Sequence, residues 1–281
     1  MSLVCFWDYG DGGSADVAAA AAIYHTLTKP GKVLLLNGGK AGEGIENGLR
    51  RPDDRLLELG GGQHLPEHGI EALIRLQMNQ RLSSNVFRDY TYSLIADRLD
   101  IVSGFNGGST YERLSENSEI KRKLYQVAEQ IYDVTVVQTS LVCQDSTPLF
   151  NSDIRIAVLN QNRMQLERYF RDSKDEYLHE GTCGRDLLLL KDFDSKSKWT
   201  VNNIRRRYKT SIPIIPLEYS TDFRDAVNNR ELLKFLYFHR SRPLRKRNDE
   251  PVLSGLSMLL KHFLPSKNAG ELLSAASGEG R

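Results

Sequence analysis

Apolar and polar positions follow two rhythms along this chain. Strand-length segments dominated by apolar residues recur at residues 3–8, 32–36, 99–103, 133–138, 153–159 and 186–190. Each is the length of a strand buried on both faces. Between them, residues 17–23, 66–80, 118–131, 162–173, 200–208, 221–228 and 252–263 carry apolar side chains at helical spacing. Residues 211–216 form one more short apolar run, broken by Pro213 and Pro216. Proline cannot donate to a central ladder, so this run predicts an edge strand. Residues 38–62 are rich in glycine and charge and predict a loop with one short helix. Strands alternating with helices predict an α/β fold: a mainly parallel sheet of about seven strands flanked by helices. One domain is expected over residues 1–265, followed by a flexible Ser/Gly/Ala-rich tail at 266–281. Ligands of such sheets bind beyond the carboxyl ends of the strands.

Composition narrows the function classes. A chain of 281 residues with 40% hydrophobic content can bury a sizeable core, and its net charge of +2 gives no general attraction to nucleic acid. No apolar run approaches the roughly 20 residues of a membrane span. Cys5, Cys143 and Cys183 are far apart and suit a reducing compartment rather than a metal site. His25, His64, His68, His179, His239 and His262 are scattered, with no zinc-ligand spacing.

The chemistry concentrates after the first strand. Tyr9-Gly10-Asp11-Gly12-Gly13-Ser14-Ala15-Asp16 joins that strand to an alanine-rich helix. Strand, glycine loop and helix is the layout of a phosphate-binding P-loop, which uses backbone N–H groups, a lysine and a Ser/Thr hydroxyl on Mg²⁺. No lysine lies between Met1 and Thr28, whereas Asp8, Asp11 and Asp16 do. A like-charge pair at contact costs up to about 4 kcal/mol near a protein surface, so this loop opposes a triphosphate. A plain tight turn that needs its glycines is the alternative reading.

From these residues onward the chain resembles the MinD/ParA group of deviant Walker ATPases. Residues 9–18 match the loop, 32–37 the second strand and 132–140 the Walker B strand. Residues 187–198 resemble the strand and loop that reach the adenine. The order of 199–204, 212–216 and 221–228 follows the family's helix, Ile-Pro strand and final short helix. The resemblance implies a P-loop NTPase-like fold with ATP and Mg²⁺ as the family's ligands. Carried over residue by residue, the chemistry is changed. The signature lysine falls on Tyr9, the P-loop lysine on Ser14 and the Mg²⁺-binding threonine on Ala15. The water-orienting aspartate falls on Asn37, the Walker B aspartate on Gln138 and the base-recognising asparagine near Lys191. The expectation is a pseudo-ATPase with no cofactor, or with weak ATP/Mg²⁺ binding.

Degenerate sites of this kind occur in TadZ/CpaE-like proteins, which position pilus and secretion machinery. The receiver-like N-terminal domain usual in those proteins is not found in these 281 residues. A non-catalytic localisation or scaffold role is expected, with protein partners, a possible homodimer and a cytoplasmic location, or one against the inner face of the membrane. An active ATPase that recruits Lys40 or Lys191 to the phosphates is the alternative.

Two further segments carry candidate contacts. Arg205, Arg206 and Arg207 on a predicted helix, with Arg242, Arg245, Lys246 and Arg247 in a predicted loop, form a basic surface. It reads either as a solvated face or as a contact for DNA or an acidic partner. Residues 252–264 form an amphipathic stripe that reads as a helix packed on the sheet, with membrane binding as the lesser alternative.

Overall fold

The structure is a computed structural model, and it describes residues 2–9, 13–42, 44–49, 69–105, 118–140, 147–172, 184–241 and 250–263. Eight strands form one sheet: β1 (Ser2–Asp8), β2 (Val33–Asn37), β3 (Tyr92–Ile95), β4 (Leu99–Val102), β5 (Val134–Ser140), β6 (Ile154–Asn160), β7 (Arg185–Phe193) and β8 (Ile214–Glu218). Their order is β3-β4-β2-β5-β1-β6-β7-β8. Every pairing is parallel except β3 with β4.

The sheet therefore has one strand more than the pattern predicted. The extra strand, β3, is short and only half buried, so it lacks the apolar run that marks its neighbours. It returns antiparallel from β4 through a turn in which Asp97 takes the left-handed region at φ 56°. The two prolines place the last strand correctly: β8 lies at the sheet edge, shifted to Ile214–Glu218.

The helices are α1 (Ser14–Thr28), α2 (Ile70–Met78), α3 (Ser84–Asp89), α4 (Ser118–Glu129), α5 (Thr147–Asn151), α6 (Arg163–Asp172), α7 (Val201–Tyr208), α8 (Thr221–Asn228), α9 (Leu232–Ser241) and α10 (Pro251–Leu260). A 3-10 turn spans Ile45–Gly48, inside the segment predicted to be mostly loop. Three helices, α3, α5 and α9, were not foreseen. His239 and Arg240, predicted in a loop, lie in the last turn of α9.

Alternation of side chains divides the core. Val4, Phe6, Leu35, Val136, Val158 and Leu189 face α1, α8, α9 and α10. On the other face, Leu34, Leu36 and Val137 pack with α2, α3 and α4. Cys5, Trp7, Ala157 and Leu188 pack there with α6 and α7. Helix α1 is buried on every side from Val17 to Thr26. Its five consecutive alanines make it thin enough to lie between the sheet and a second helical layer.

The stripe on residues 252–263 is consumed by this packing. Val252, Leu253, Leu256, Leu259, Leu260 and Phe263 are buried in the α1-facing core, so they are not offered to a membrane. A Cβ at Gly255 would lie 2.8 Å from the Pro216 carbonyl oxygen, which shows how closely α10 approaches β8.

Candidate functional site

The same alternation that builds the core brings polar residues together at the carboxyl edge of the sheet. On the face toward α1, β2 ends in Asn37, β5 presents Gln138, β1 ends in Asp8, β6 ends in Asn160 and β7 presents Lys191. Asn37 is in register with Gln138, and Asn160 with Lys191. This row faces the first turn of α1, where unpaired N–H groups and the helix dipole favour negative charge.

The protein fills that terminus with its own carboxylates. Asp8 accepts a hydrogen bond from the Ser14 backbone N–H. Asp16 Oδ1 accepts from the Val17 N–H at 2.8 Å. Burial pushes the Asp8 carboxyl above its ordinary range, while the Ser14 N–H and the charge of Lys191 pull it down. Burial likewise raises Asp16, opposed chiefly by Lys191.

Lys191 reaches this place from β7, two strands from β1 on the same face of the sheet. Its ammonium donates to both Asp16 oxygens at 2.9 and 2.7 Å and to the Gly13 carbonyl at 3.0 Å. Gly13 is left-handed at φ 65°, and a Cβ there would lie 2.7 Å from the lysine Nζ. The backbone of β7 becomes irregular just beyond this contact. Its register against β8 shifts between Leu190 and Phe193, and Asp192 has φ 52°. The irregularity reverses the alternation, so Phe193 packs on the face opposite to Leu189. Arg224 of α8 pairs with Asp192 at 2.7 Å and holds the bend.

The remaining positions are structural in their contacts. Ser14 is fully buried and accepts from Gln138 Nε2 at 3.2 Å, while Gln138 Oε1 has no hydrogen-bond partner among the described residues. Ala15 packs against the core. Asn37 is fully buried, donates to the Lys40 carbonyl at 3.1 Å and to Glu46 Oε2 at 2.7 Å, and accepts from the Gly39 N–H at 2.8 Å. Glu46 in turn accepts from the Gly104 N–H at 3.0 Å. Asn37 and Glu46 thus tie two loops together.

Tyr9 does not join this group. Its ring packs edge-on with Trp7 and Tyr169 on the opposite face of the sheet, and its hydroxyl donates to Asp172. That bond and burial raise the Tyr9 hydroxyl, and the same bond lowers Asp172. Gly10, Asp11 and Gly12 lie outside the described residues. So do Arg242, Arg245, Lys246 and Arg247. Arg205 and Arg206 are exposed on α7. Arg207 stacks over Trp199 at 5.3 Å and meets Glu167 at 3.5 Å.

Glu46, Asn160 and the Asp16–Lys191 pairing were missed by sequence reasoning. Glu46 lies in a segment read as loop, and nothing local links Asp16 to Lys191. Strand alternation from Val158 would have found Asn160.

The described residues do not fit a magnesium–nucleotide. A triphosphate needs free N–H donors and excess positive charge at α1. Here the Ser14 and Val17 N–H groups serve Asp8 and Asp16, and the Lys191 ammonium is already paired. Ala15 and Gln138 offer no charged or hydroxyl ligand to a cation. Among the described residues no group of His, Cys, Asp and Glu could hold a metal ion, and no helix is long and apolar enough to cross a membrane.

Topology and site together define a P-loop NTPase-like α/β fold of the ParA/MinD type, with an eight-stranded, mostly parallel sheet. Among similar structures is a ParA family ATPase from Chlorobium tepidum, at TM-score 0.70 and 14% identity over 91% of this chain and 99% of that one. The septum site-determining protein MinD from Pyrococcus horikoshii, in complex with Mg-ADP, gives 0.64 and 12% over 93% and 97%. MinD in the MinC:MinD complex of Aquifex aeolicus gives 0.61 and 12% over 94% and 98%. No protein-family model and no curated protein sequence matches the chain. At these identities the likeness speaks for the fold.

Proposed function

We propose that this chain is a non-catalytic, pseudo-ATPase localisation or scaffold protein of a pilus, secretion or partitioning system. It works through protein contacts rather than nucleotide turnover. The observation that carries the reading is the occupation of the α1 N-terminus by Asp8 and Asp16. A fold retained with its anion site filled from within keeps the shape of a switch without its fuel. The MinC:MinD complex gives a precedent for a protein of this fold bound to a protein partner.

Calorimetric titration with ATP and Mg²⁺, beside a phosphate-release assay, tests the reading. The expected result is no saturable heat at millimolar nucleotide and no release above buffer. Saturable binding with turnover that Asp16→Ala alters would overturn it. The competing reading, a working ATPase with a relocated lysine, draws on the approach of Lys191 to Gly13. It predicts that Lys191→Met abolishes nucleotide binding that the parent chain shows.

A further inference from the structure

Two cavities of about 390 Å³ each abut beside α9, with Glu231 and Lys234 lining both. One lobe has Phe235 and Phe238 in its wall and Asp222 and Asp225 on its rim. The other is lined by Leu49, Leu94 and Leu233 together with Arg230.

The acidic lobe presents two exposed carboxylates. Asp222 and Asp225 are exposed one turn apart on α8, and neither carboxylate has an ion-pair partner among the described residues. Like charges at this spacing repel. Lys234 is engaged with Glu231 at 3.2 Å. Phe238 is 53% exposed and Tyr237 beside it 63%, although both are large apolar rings. An aromatic ring beside carboxylates suits a guanidinium or ammonium, whose aliphatic stem covers the ring while its head meets the charges. The adjoining leucine lobe suits an aliphatic side chain.

We propose that this two-lobed groove docks a basic amphipathic segment of a partner protein. An arginine or lysine enters the acidic lobe and an aliphatic residue the leucine lobe. The inference rests on the partner-binding reading above and does not involve the α1 terminus. The groove borders the 3-10 turn that Asn37 and Glu46 secure, since Leu49 bridges to Glu231 and Leu232 touches Gly48.

Fluorescence anisotropy of a labelled helical peptide of leucine, alanine and arginine tests the groove in the full chain. A matched peptide with glutamate for arginine serves as control. Binding by the arginine peptide alone is expected. It should weaken about tenfold in Asp222→Asn/Asp225→Asn and again in Phe238→Ala, and fall as salt rises. These side chains are exposed, so circular dichroism should be unchanged. Equal binding to parent and variants, or by the glutamate peptide, would overturn the proposal. So would a dimer in sedimentation that Phe238→Ala dissociates, since a second copy would then own the groove. Nucleotide turnover would sink the scaffold reading and leave these outcomes readable.

Discussion

Lys191 and Asp16, 175 positions apart in the chain, meet at the N-terminus of α1 with ammonium and carboxylate 2.7 Å apart. The two side chains are only 14% and 20% exposed. Breaking such a pair strands a charge in a poorly solvated place. Lys191→Met should therefore destabilise the protein by about 3 kcal/mol, and adding Asp16→Asn should recover much of that loss. Urea unfolding of the parent, both single variants and the double variant measures the coupling. Additive losses would show that the pair is not coupled.

His25 predicts an acid-sensitive fold. Its ring is 3% exposed, stacks 5.9 Å from Phe263, and has no hydrogen-bond partner on either nitrogen among the described residues. Burial, helped by Lys29 and Arg98, lowers its pKa from 6.5 to about 4. The unfolded chain therefore holds more protons between these values, and stability is lost as pH falls through that window. The full loss is about 3 kcal/mol. Urea midpoints measured from pH 7 down to pH 4 should fall less steeply in His25→Phe.

Arg98 closes the other end of α1. Its guanidinium donates to the carbonyl oxygens of Thr26 at 2.8 Å, Lys29 at 2.6 Å and Gly31 at 2.9 Å. A cation there also complements the negative end of the helix dipole. Arg98→Ala should cost about 2 kcal/mol, with Arg98→Lys intermediate because an ammonium cannot span three acceptors as a fork. Thermal unfolding of the series reads the order.

Gly255 opposes a simple propensity rule. Alanine is the better helix former by about 1 kcal/mol. At this position its methyl would lie 2.7 Å from Leu217 Cδ1 and 2.8 Å from the Pro216 carbonyl. The backbone oxygen cannot yield without displacing β8, so Gly255→Ala should destabilise by about 1–3 kcal/mol. A raised unfolding midpoint would show that α10 lies further from the sheet.

Legibility followed locality. The buried strands β1, β2, β5, β6 and β7 announce themselves because both of their faces are covered, which forces continuous apolar runs. Strand β3 does not, because a half-exposed edge strand has no such requirement. Helix α9 escaped because its two exposed aromatics, Tyr237 and Phe238, blur the apolar stripe. Among the candidate site residues, Ser14, Gln138, Asn37 and Lys191 do gather at one edge of the sheet. Tyr9 was grouped with them because the resemblance puts the signature lysine there, yet one step along a strand turns its side chain to the other face.

The sequence by itself determined the alternation of strands and helices, the edge position forced by Pro213 and Pro216, and the absence of a lysine from Met1 to Thr28. Those are local properties, set by backbone geometry and by which residue stands where. Only the tertiary structure decided what replaces the missing charge. Lys191, on the α1-facing side of β7, reaches Gly13 and Asp16 across β6. Such a contact depends on strand order, which leaves no local mark in the chain.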